Sequence, residues 1–214
     1  PIARSGAILS FCRTAGGSQE ASMAQMAIDE WVSGLSAVHR DDFTLSKIEK
    51  YLQQNQIRVD TLKPYLFYAK SHYTRNLIFK CDLFEVMAIC WEVGQVSRVH
   101  NHRGQNCWMA VPIGKLRVQN FRIENQDPSR GTCRLSPSVS YDMDYDHPGT
   151  VQREEPVHQV LNLPEFNQRA TSIHVYSHPY SSCEIYSIDK GTYSDVPLYY
   201  SSEYGKLSPD EKLF

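Results

Sequence analysis

"SRVHNHRGQNCWMAVPIGKLRVQNF", residues 97–121, sets two extended runs, "CWMAVPI" and "KLRVQNF", on either side of Gly114. Short runs rich in β-branched and aromatic residues, broken by a glycine, read as two strands joined by a turn. The same stretch places His100 and His102 one residue apart and Cys107 five positions further on. In a strand, residues i and i+2 point to one face, so both imidazoles would project into whatever that face encloses. A solvated strand that carries two histidines fits the fragment equally well. The surrounding chain has to decide between them.

Outward from this stretch the extended texture continues. "LIFKCDLFEVMAICW" (77–91) precedes it, and "PVHQVLN" (156–162), "TSIHVYS" (171–177) and "SCEIYSID" (182–189) follow behind turn signals. Many short strands at such spacing predict a mainly β fold, an antiparallel sandwich or barrel. The segment "NQDPSRGTCRLSPS" (125–138) reads as a turn-rich connection. The front third differs. Met23, Met26, Ala27, Ile28, Trp31 and Leu35 recur at helical spacing from Ser22 to Leu35, Thr44 can cap "LSKIEKYLQQ", and Asp60 opens a third short helix, "DTLKPYLFYA". The expected organisation is one domain: an irregular or disordered N-terminus over 1–20, a helical part over 21–70, the β-barrel over 71–195, and an irregular polar tail over 196–214.

Composition narrows the class of partner. With 22 Lys plus Arg against 24 Asp plus Glu, the net charge of -2 gives no basic field to attract nucleic acid. No apolar run approaches a bilayer's thickness, so no membrane span is expected. The opening "PIARSGAILSFCRTAGG" has no small-residue cleavage site of the secretory kind. Six cysteines without a CxxC pair, in a chain of 214 residues that can build a core unaided, predict free thiols and a reducing, cytoplasmic setting. A monomer is the expectation.

The longer pattern Gly94, His100, His102, Cys107, Gly114 resembles the first motif of the cupin superfamily, with Cys107 where the usual glutamate ligand stands. His158 and Asn162 resemble the end of the second motif, although the glycine and proline spacing upstream departs from it. Three further pieces narrow the likeness to cysteine dioxygenases: "YTRN" (73–76), "SIHVY" (172–176), and Trp91 nine residues before His100. The resemblance covers roughly residues 65–190. It implies a cupin-type antiparallel β-barrel, a jelly roll, behind N-terminal helices. It further implies one Fe(II) per chain on His100, His102 and His158. Arg75 would bind the substrate carboxylate with Tyr73 and Trp91 nearby, Ser172, His174 and Tyr176 would form a relay, and Cys107 and Tyr176 would join in a thioether. The implied reaction adds both atoms of O2 to the sulfur of L-cysteine.

These residue types suit that chemistry. Three neutral imidazoles on one side of a metal leave the other side open, as oxygen-activating iron requires. Zinc or copper would bind such a set as tightly, so supply and chemistry select the iron. A metal-bound thiol favours its thiolate, and a planar guanidinium matches a carboxylate better than an ammonium does. Residues 172, 174 and 176 share a strand face, so Ser172 can bond His174, and His174 can orient Tyr176. An ordinary polar barrel interior is the plainer reading of that triplet, and a surface arginine that of Arg75. Two other functions remain open: a dioxygenase of another small thiol acid such as 3-mercaptopropionate, and a cupin that only binds a metal or isomerises a sugar. The resemblance weighs against both, since mercaptopropionate enzymes typically have glutamine in place of Arg75 and lack Cys107.

Overall fold

"EVMAICW" lacks the alternation of a half-buried strand, and the computed structural model, which describes residues 24–150 and 156–213, gives the reason. As β4 (Glu85–Trp91) this run is buried at every position, as is β11 (Ala170–Ser177) beside it. One face of each carries Val86, Ala88, Ile173 and Val175 against the N-terminal helices; the other carries Met87, Ile89, Trp91 and Tyr176 into the barrel interior. A strand covered on both sides has no polar face to show.

Strands β3 (Thr74–Lys80), β4, β11 and β6 (Asn106–Ile113) form the centre of a seven-stranded sheet. Its edges are β9 (Gly149–Thr150) on one side, and β14 (Ser202–Glu203) with β15 (Lys206–Leu207) on the other. The second sheet closes on itself in the order β10 (Val157–Leu161), β5 (Val99–His100), β12 (Ser182–Ser187), β13 (Thr192–Pro197), β8 (Thr132–Met143) and β7 (Leu116–Asp127). Met87 and Met109 from the first sheet and Leu116, Val118 and Val160 from the second share one core. The fold is mainly β, a cupin-type antiparallel barrel behind N-terminal helices.

The helical part departs from its predicted bounds. Ala24–Met26 forms β1, parallel to β2 (Asn55–Ile57), and helix α1 begins only at Ile28, running to Ser36. Glu30 Oε2 accepts from the Ala27 backbone at 3.1 Å and fixes that start. Ile28, Trp31, Val32 and Leu35 then line its buried face. Helix α2 (Leu45–Gln54) follows its predicted cap, with Thr44 Oγ1 accepting from Lys47 N. The third helix is shorter and tighter than expected, a 3-10 turn over Val59–Tyr65 that contains Pro64.

Two corrections concern the strands. The segment read as a connection over 125–138 is mostly ladder: β7 and β8 pair from Leu116↔Met143 to Asp127↔Thr132, with only a tight turn at Gly131 between. β8, with three serines, one proline and only Cys133 and Met143 buried, is otherwise exposed or half-buried, so backbone pairing rather than apolar patterning makes it a strand. The tail beyond 196 is likewise not irregular throughout. β14 runs parallel to β3, in register Ser202↔Asn76 and Glu203↔Leu77, and Ser202 Oγ donates to Asn76 Oδ1 at 2.8 Å. The expectation for residues 1–20 lies outside the described residues.

Candidate active site

Cross-strand pairing brings the first two histidines together. His100 on β5 stands opposite His158 on β10, with ring centroids 4.6 Å apart. His102 lies beyond the end of β5, before a turn at Arg103 and Gly104 in which both have positive φ. The strand geometry expected for the pair therefore holds only for His100. The loop nevertheless returns the His102 ring to 4.7 Å from His158 and 5.3 Å from His100. One nitrogen from each ring falls within 4.8 Å of the others, the only cluster of this kind among the described residues.

Burial keeps these rings neutral. It pushes the pKa of His100 down to about 4 and those of His102 and His158 well below the ordinary histidine value, and for the latter two the neighbouring rings add to the effect. His100 Nδ1 donates to the Arg98 carbonyl at 2.8 Å, which fixes its tautomer and leaves Nε2 as a lone pair. Both nitrogens of His102 and Nδ1 of His158 are buried without a hydrogen-bond partner. Buried polar atoms are rarely left so unless a ligand completes them.

Behind the histidines runs a chain of polar contacts. Trp91 Nε1 donates to Ser172 Oγ at 3.0 Å, Ser172 Oγ lies 2.8 Å from His174 Nε2, and His174 Nδ1 lies 3.0 Å from the Tyr176 hydroxyl. Burial holds His174 down to about 3 and raises the Tyr176 hydroxyl well above its usual value, so both are neutral. The Tyr176 ring is 5.3 Å from that of His102. Cys107 on β6 is the direct Cα partner of Tyr176, its Sγ 4.0 Å from His174 Nδ1. Burial raises its thiol far above the usual value and keeps it protonated.

In front of His100 opens a cavity of about 270 Å³, lined among others by Tyr73, Arg75, Tyr180 and Cys183. Arg75 Nε is buried without a partner. Burial opposes the guanidinium charge, but Tyr176, Tyr180, Tyr73 and Glu85 outweigh it and leave the arginine a firm cation. Its backbone is fixed by the tail: Arg75 N donates to Ser201 Oγ at 3.2 Å, and Ser201 N donates to the Arg75 carbonyl at 2.7 Å. Trp91 does not line this cavity. Its ring stacks on Tyr73 at 4.6 Å while its N–H holds Ser172, so it backs the site. Tyr180, Cys183 and Ser201 were not singled out in the sequence, where no local spacing marks them.

The family profile described as "Cysteine dioxygenase type I" matches residues 20–189. This chain belongs to the cysteine dioxygenase type I family. "Cysteine dioxygenase type 1" of Danio rerio is 23% identical over 172 residues, covering 80% of this chain and 84% of that protein. The Homo sapiens protein of the same description is 20% identical over 171 residues, covering 79% and 83%. Among solved structures, a Klebsiella pneumoniae protein with a double-stranded beta-helix domain aligns with a TM-score of 0.43 at 11% identity, covering 65% of this chain and 90% of that one. Membership of the cysteine dioxygenase family supports a thiol dioxygenase with a metal site at the histidine cluster.

Proposed function

We propose that this protein is an iron(II)-dependent dioxygenase that adds both atoms of O2 to the sulfur of L-cysteine, giving cysteine sulfinic acid. The observation that carries the reading is the convergence of three neutral imidazoles, two buried and one half-buried, beside a cavity holding a guanidinium with an unpartnered Nε. His100, His102 and His158 would hold one Fe(II) per chain. The residues fit that ion: each unpartnered buried nitrogen costs about 1–3 kcal/mol, which coordination removes. Iron(II), when bound, supplies activation of dioxygen and favours the substrate thiolate.

The chain's own residues do the rest. Arg75 takes the substrate carboxylate and so fixes where the thiol lies. Ser172, accepting from Trp91, directs its own proton to His174 Nε2; His174 Nδ1–H then faces the Tyr176 oxygen and leaves the Tyr176 proton free to point at the cavity. Cys107 and Tyr176 stand as the partners of a thioether. Five free cysteines among the described residues support a reducing, cytoplasmic setting.

The test joins metal analysis to oxygen uptake. Iron-loaded protein should consume O2 in the presence of L-cysteine, faster than with 3-mercaptopropionate, and alanine at His100, His102 or His158 should abolish both iron content and turnover. Absence of thiol-dependent uptake by the iron-loaded protein would refute the reading, and a variant that kept full iron and turnover would remove that histidine from the ligand set.

A further inference from the structure

The cavity beside the histidines has a second cationic group at its rim. Arg98 lines it together with Arg75, Tyr73 and His100, and also lines an outer groove of about 600 Å³, so it stands where the site opens to the surface. It precedes His100 by two residues and follows its side of the chain. Val99 between them is buried in a separate apolar cluster with Phe121 and Val157. Arg98's side chain makes no hydrogen bond or ion pair with any described residue, whereas Arg103 nearby is held by Glu184 and Asp195. Tyr73 lines the same cavity as both arginines, and both lower its hydroxyl pKa against the larger upward push of burial. No aspartate or glutamate is among the lining residues. The result is a cavity with two cations and no anion of its own.

We propose that Arg98 is a specificity-determining residue, a second anion-binding point that lets this site, beyond L-cysteine, take a thiol acid with two carboxylates in preference to its amine-free monocarboxylate analogue 3-mercaptopropionate. The inference rests on the thiol dioxygenase reading and deepens it by naming a substrate class. A ligand with one carboxylate satisfies Arg75 and leaves Arg98 to water; a second carboxylate gains a charge-assisted contact with Arg98. Because Arg98 is exposed, solvent screens the gain to about 1.5- to fivefold.

The probes are mercaptosuccinate and 3-mercaptopropionate, which differ by one carboxylate. With iron-loaded protein, Arg98→Gln should lower the ratio of kcat/KM for mercaptosuccinate to that for 3-mercaptopropionate about 1.5- to fivefold, and Arg98→Lys should keep part of it. Added salt should lower the same ratio in the unaltered protein, a readout that needs no variant to fold. Anaerobic calorimetry of the iron-loaded protein with both thiols should show the matching change in Kd without any turnover. If no thiol is oxidised but the calorimetric ratio responds to Arg98→Gln, the dioxygenase reading fails and the second anion point stands. If L-cysteine is oxidised and neither ratio responds to Arg98→Gln or to salt, the inference alone is overturned.

Discussion

Arg75 carries a buried Nε with no partner, a state that is costly unless something arrives to meet it. A charge-assisted, two-point hydrogen bond to a carboxylate contributes about 1.5–3 kcal/mol, or roughly ten- to a hundredfold in binding. Arg75→Gln should therefore lower kcat/KM for L-cysteine by about that factor and leave iron content unchanged. Cysteamine, which has no carboxylate, should lose much less. Measuring both thiols with both proteins decides the matter, and an equal loss on the two would mean that Arg75 supports the pocket without reading the substrate. At this scale the sequence was most informative where function is local in the chain. His100 and His102 sit one residue apart, and Ser172, His174 and Tyr176 share a strand face, so spacing suggested the two groups and the resemblance to cysteine dioxygenases gave them their roles. Trp91, expected near the substrate from the resemblance, stacks behind Tyr73 and is not among the cavity's lining residues, and stacking depth is a property of packing that no spacing encodes.

Strand register sets the next relationship. Tyr176 on β11 faces Cys107 on β6 as a direct partner, and both lie on the buried side of the sheet. Their union requires loss of the thiol hydrogen and one ring hydrogen beside the hydroxyl, with two electrons passing to dioxygen. After turnover with iron, L-cysteine and oxygen, intact mass should fall by two hydrogens in part of the material, and the peptides holding Cys107 and Tyr176 should stay joined after reduction. Peptides that separate fully would rule the bond out. Elements of this kind were legible to differing degrees, for physical reasons. β4 and β11 announced themselves through continuous burial and β-branched residues, and α2 through the Thr44 cap. β8 did not, since a ribbon with one exposed side needs no apolar pattern, and its Pro137 sits opposite Phe121 beside a shift in register. The start of α1 was misplaced because Met26 and Ala27 extend the helical period into residues whose backbone pairs elsewhere.

For the molecule as a whole, four interior histidines, three buried and His100 half-buried, tie stability to pH. In the metal-free protein His100 is held down to about 4, His174 to about 3, and His102 and His158 well below the ordinary value of 6.5. Below 6.5 the unfolded chain takes up protons that the folded protein refuses, so this stability is complete above that pH and is lost as pH falls toward the folded values. The thermal midpoint of metal-free protein should drop steadily from about pH 6.5 to about 4.5, before most carboxylates titrate, and a flat profile over that window would contradict the neutral-histidine assignment. Long-range closure is what the sequence concealed most. Ser201 reaches Arg75 across 126 residues, and its neighbours Ser202 and Glu203 pair with β3. Without that tail β3 is the bare margin of its sheet, a row of unsatisfied amides along "TRNLIF". A chain cut after Leu198 should accordingly not stay dispersed: copies would add to one another along β3, and light scattering with an amyloid-binding dye would report β-rich aggregates that the uncut chain does not form. Strands β14 and β15 thus act as a guard against self-association, and on a chain made from its N-terminus that guard appears only well after the edge it covers.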